Sequence, residues 1–186
     1  MNKLFLFALF SAVIVRFTTE QPRYIARQGQ VSFFSYTSVE NIEAKNNQVL
    51  SLLDFEKGEI AVSMLMPAFV FEKDLMHAHF NESYIESDLY PKANFKGQFI
   101  DLHTLAIEEK KAVLIKGILQ IRGISKEKEI KVFLTKTKEG YLLSGEFNIL
   151  VKDFEIKIPP ILASNIAKTV SVKMNFQYLP YEEKNN

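Results

Sequence analysis

From residue 20 onward the strongest regularity in the chain is a period of two. Val170, Val172, Met174, Phe176 and Tyr178 alternate with Ser171, Lys173, Asn175 and Gln177, as in a strand with one face in an apolar interior and one in water. Val31, Phe33 and Ser35 form a similar row, as do Ile60, Val62, Met64 and Met66, and then Ala93, Phe95, Gly97 and Phe99. Val113 to Ile121, Ile130 to Leu134 and Leu143 to Ile149 continue the pattern. With residues 48–55 this makes about eight strands, which suits a sandwich or a barrel. Gly97, Gly117 and Gly145 fall inside these rows, where glycine permits the bends by which a sheet closes on itself. The chain has 186 residues, enough for one domain of mostly antiparallel strands.

Two stretches break the rhythm. Between Asp74 and Ser87, Leu75, Met76, His79, Phe80 and Tyr84 recur at three and four, which predicts one or two short helices with Asp74 as N-cap. Tyr90-Pro91 should stop them. Pro159-Pro160 opens the second stretch, with a helical turn expected over 161–166. Ahead of all this, Lys3 precedes an apolar run from Leu4 to Val15 broken only by Ser11. That run is short of the roughly 20 residues a bilayer needs and matches the core of an export signal. The expectation is a signal peptide over residues 1–19 and a mature domain over 20–186, periplasmic or secreted, with no membrane span.

Composition removes most chemistries. Cysteine is absent, which excludes disulfides, thiolate metal sites and cysteine nucleophiles. Lys and Arg number 23 against 22 Asp and Glu, a balance with no electrostatic footprint for nucleic acid. His77 and His79 diverge on a helix and lack a third ligand at a motif spacing, so they read as a helix-surface pair and not as a metal site. No nucleophile elbow, phosphate loop or dinucleotide fingerprint is present, so no catalytic residue and no cofactor is assigned. The runs Glu108–Lys111 and Lys126–Glu129 read as solvated turns.

What remains is an apolar surplus. There are 16 Phe and 7 Tyr, and several strands are apolar on both faces, as where Phe33 meets Phe34 or Leu142 meets Leu143. Such strands must be covered outside by helix or loop, or face a partner, which leaves room for a homodimer. Methionines at 64, 66, 76 and 174 suit either an adaptable ligand lining or a gap-filled core.

The order of certain motifs narrows the choice. Gly29-Gln30-Val31-Ser32-Phe33-Phe34-Ser35 is followed by Phe69-Val70-Phe71, the helical Asp74–Phe80 and Tyr90-Pro91-Lys92-Ala93-Asn94-Phe95-Lys96-Gly97. Ile115 to Lys126 and Leu150 to Ile156 then precede the closing alternating strand. Across about residues 24–178 the chain resembles the YceI-like family of exported bacterial proteins. The resemblance implies an all-β, lipocalin-like eight-stranded antiparallel barrel with one or two short helices. It also implies a polyisoprenoid or other long-chain lipid held inside that barrel. The candidate lining is Phe33, Met64, Met66, Phe69 and Phe71, then Phe95, Phe99 and Leu119, then Phe133, Phe147, Met174 and Phe176. Phe133 alternates against Ile130 and Val132, so an outward position is open to it. The competing reading is an interaction barrel filled by its own side chains that shows loops to a partner.

Overall fold

A computed structural model describes residues 23–100 and 110–181. The apolar run Leu4–Val15, His103 and the acidic pair Glu108-Glu109 lie outside the described residues. The strands are β1 (Tyr24–Tyr36), β2 (Asn41–Asp54), β3 (Glu59–Leu65), β4 (Val70–Phe71), β5 (Lys92–Ile100), β6 (Lys111–Ile121), β7 (Ile124–Lys136), β8 (Tyr141–Leu150) and β9 (Thr169–Pro180). Eight of them pair antiparallel in the order β1-β9-β8-β7-β6-β5-β3-β2, and β1 pairs back to β2, so the barrel closes without a free edge. Each alternating row of the sequence occupies one of these strands. The two-residue β4 takes β3's place along the first half of β2, pairing Phe71 with Ala44. Asn46, fully buried, secures that exchange by donating to the Leu65 carbonyl at 2.8 Å and accepting from the Gln48 N–H at 2.8 Å.

One half of the barrel is solid. Val49, Leu53, Val132, Leu134, Leu143, Phe176 and Tyr178 are buried together there. The Tyr178 hydroxyl meets Ser51 Oγ at 2.6 Å, and Ser51 donates onward to the Ala61 carbonyl at 3.0 Å. Tyr24, Phe55 and Tyr141 seal the outer end, with ring centroids 4.7 to 5.6 Å apart. Gly97 faces Gly117 across β5 and β6. A Cβ at either position would strike the Phe95 ring at 2.8 Å, so this glycine pair makes the berth in which that ring lies.

In the other half the wall opens. β8 pairs with β7 only as far as Val132 and Gly145, while β7 continues beside β6 alone. The turn Val151–Phe154 packs against both strands at this gap with Phe154 fully buried. The Lys126–Glu129 run is therefore not a turn; it is the part of β7 that pairs with β6 but not with β8, and Lys128 reaches Asp153 at 3.8 Å. The β6–β7 turn is Arg122-Gly123, with φ of 53° and 74°, the two positive values that a tight hairpin of this hand requires. Helix α1 (Asp74–His79) begins one residue earlier than expected: Lys73 is the N-cap and Asp74 lies in the first turn. Its continuation, Phe80–Ile85, is a wider π-type coil ended by Glu86 at φ 53°. Within the second stretch the helical turn spans only Pro160–Leu162, starting one residue before the expected 161–166 and ending four residues short of it.

Candidate functional site

The open half encloses an apolar cavity of about 210 Å³, where a single water would need about 10–15 Å³. Period two sets its walls. Val31, Phe33 and Ser35 of β1 face Met64 and Met66 of the β3 end, with Ala93 of β5 and Leu119 and Ile121 of β6 beside them. Phe147 and Ile149 of β8, with Val170 and Val172 of β9, complete the ring. Phe69 and Phe71 enter through the short detour at β4.

The roof comes from the irregular segments. α1 and its wide continuation supply Met76, His79, Phe80, Tyr84 and Ile85, and the strap after β8 supplies Val151, Ile156, Ile158, Asn165 and Ile166. Phe80 lies 5.5 Å from Phe33, 5.7 Å from Phe69 and 5.1 Å from Phe71, ring centre to ring centre. One side chain ties both roof segments to the barrel. Arg122 pairs with the Glu86 carboxylate and donates to the Glu155 carbonyl at 3.2 Å, and its guanidinium sits 5.7 Å from the Tyr90 ring centre. Arg122, Glu86 and Glu155 are the three non-glycine residues with positive φ among the described residues. The left-handed backbone, costly for such side chains, is concentrated where the roof is clasped.

The polar groups on the lining are few. Glu40 is the charged one, and Lys73 bonds it at 2.8 Å. That ammonium, helped by the Asn165 amide, holds the carboxyl below its ordinary range. Burial raises the Tyr84 phenol above its ordinary value. Ser35 Oγ accepts the Ala167 N–H at 2.9 Å, which anchors the strap to β1. His79 lines the cavity, so the pair with His77 is not a surface feature on both members. Among the described residues no cluster of three or more His, Cys, Asp or Glu is placed to hold a metal ion. No helix among them is long and apolar enough to cross a membrane.

Of the twelve candidates, Phe33, Met64, Met66, Phe69, Phe71, Leu119 and Phe147 stand on the cavity. Phe95, Phe99 and Phe176 are buried in the solid half. Met174 lies one step below Val172 on the same face of β9 and packs against the core. Phe133 points outward, 39% exposed, with the Lys110 ammonium 4.4 Å from its ring centre. The roof residues Met76, Phe80 and Ile85 were absent from the candidates, although the helical spacing of the first two was legible. Leu75, in the same row, is 66% exposed and faces away.

Solved structures share this architecture. A polyisoprenoid binding domain from Saccharophagus degradans, implicated in plant cell wall breakdown, aligns with a TM-score of 0.73 at 14% identity, covering 86% of this chain and 99% of that one. BcnA of Burkholderia cenocepacia aligns at 0.68 and 16% identity, covering 79% and 94%. A Campylobacter jejuni YCEI protein aligns at 0.60 and 16%, covering 80% and 90%. At these identities the likeness is one of fold. No curated protein matches the chain. The model of the YceI-like domain matches residues 23–178, nearly every residue of the barrel, and the chain belongs to that family.

Proposed function

We propose that this protein is an exported carrier of a long apolar chain, a polyisoprenoid or related lipid, held in the open half of the barrel. The observation that carries the reading is the cavity: about 210 Å³ of space ringed by aliphatic and aromatic side chains, which a soluble domain gains nothing by leaving empty. The name of the Saccharophagus relative, a polyisoprenoid binding domain, gives the same ligand class to a barrel of this fold. Export is supported by the Leu4–Val15 run behind Lys3. N-terminal sequencing of the recovered protein checks it, with a new terminus near residues 17–21 expected and an intact Met1 in the cytosol contradicting it.

Binding is tested by mass spectrometry of lipids extracted from the purified protein, followed by uptake of a chain-length series. Affinity should climb by about 0.8 kcal/mol per buried methylene until the cavity is full. A folded protein that takes up no chain of any length overturns the carrier reading. The self-filled interaction barrel then becomes the better account.

A further inference from the structure

We infer that the cavity accepts a chain whose polar end is uncharged, an alcohol or a ketone- or quinone-type carbonyl, and excludes the same chain ending in phosphate or diphosphate. This rests on the carrier reading above and adds the chemistry of the ligand's polar end. Among the described residues that line the cavity there is no lysine and no arginine. The one charged side chain there is an acid, Glu40. Protein sites for phosphate are built from arginine forks, lysines or helix N-termini. In this cavity the short α1 carries Asp74 in its first turn.

The nearby cations do not line the cavity. Lys73 holds Glu40 at 2.8 Å. Lys157 is exposed, standing between Ile156 and Ile158, which both line the cavity. A phosphate drawn into the cavity would meet the Glu40 carboxylate with no cation on the lining to hold it. A neutral end meets better partners. The Tyr84 phenol carries an O–H donor at neutral pH, and the His79 imidazole, Asn165 amide and Ser35 hydroxyl supply donors and acceptors on the same lining.

The test is equilibrium uptake of geranylgeraniol and of geranylgeranyl diphosphate by the folded protein, read by native mass spectrometry. The expected result is a one-to-one complex with the alcohol and at least about ten-fold weaker uptake of the diphosphate. Glu40→Gln, confirmed as folded by its thermal melt, should narrow that gap by admitting the diphosphate. Lys73→Met, which leaves the carboxylate uncompensated, should widen it. Equal or tighter binding of the diphosphate overturns the inference and leaves the carrier reading standing. Uptake of neither overturns this inference, and the carrier reading falls with it only if the whole chain-length series also fails to bind. A gap that neither substitution moves removes Glu40 as the excluding charge and overturns exclusion by like-charge repulsion.

Discussion

The two ends of the barrel are both built from aromatic rings, yet they do different work. At the sealed end, Tyr24, Phe55 and Tyr141 pack edge to face, and Phe176 and Tyr178 fill the space behind them. At the open end, Phe33, Phe69, Phe71 and Phe80 also lie within contact of one another, but they border a void. The sealed rings are held by strands on every side and by one polar bond, Ser51 to Tyr178. The open rings are contributed partly by β4 and by the wide coil that follows α1, which pair with little. Stability is therefore assigned to one half of the same barrel and ligand space to the other.

That division predicts unequal penalties. Phe176, 1% exposed, has neighbours on all sides, so Phe176→Ala should cost about 3–5 kcal/mol in denaturant unfolding. Phe80→Ala removes a ring whose cavity side already lacks partner atoms, and should cost about 1–3 kcal/mol. Equal losses would erase the distinction between the halves. Function should sort the other way. Val170→Trp, projecting into the cavity, should displace the length of a few methylenes and weaken chain uptake about ten-fold or more, with the melt little changed. If uptake is unaffected, the chain does not lie in this space.

Alkaline pH sharpens the picture of the sealed end. Burial pushes the Tyr178 phenol far above its ordinary value of 10.0, and the Ser51 hydrogen bond offsets only part of this. The folded state thus keeps a proton that the unfolded chain releases. The stability so contributed is complete below pH 10 and is lost above it, at about 1.4 kcal/mol per pH unit. Tyr178→Phe should flatten this alkaline slope in melts, and an unchanged slope would assign it to other groups. The smallest effect belongs to the clasp. Arg122→Ala should lower global stability by about 1 kcal/mol or less, while hydrogen exchange quickens in residues 74–87 and not in β9. Uniform quickening would deny the roof a separate stability.

The same contrast explains what could be read from the sequence. Alternation is local, so each strand row and the inward or outward facing of its residues were legible; the parity of Phe133 against Val132 already permitted the outward position it holds. Alternation carries no information about height along the barrel. Phe95 and Phe147 have the same residue type and the same parity, yet one lies over the Gly97–Gly117 pair and the other borders the cavity. Which applies depends on register between strands distant in sequence. The roof was legible as a helix from its three-and-four spacing. That it covers a void, with Phe80 against Phe33 and not against a solid core, is a non-local fact. The Arg122 clasp gave no signal of its own, because its partners lie 36 and 33 residues away and its hairpin lacks the usual Asn-Gly pair.

The central claim is that a bound chain occupies the open half and stops at the level where Val31 pairs with Met174 and Leu119 with Phe95. It is tested most directly by a lipid carrying a photoreactive diazirine at the end of its chain, irradiated in the folded protein and mapped by peptide mass spectrometry. The account predicts labels at Val31, Leu119 or Val172, just above that floor. Labels at Phe99 or Phe176 in the sealed half, at Phe133 on the outer face, or no label at all would contradict it.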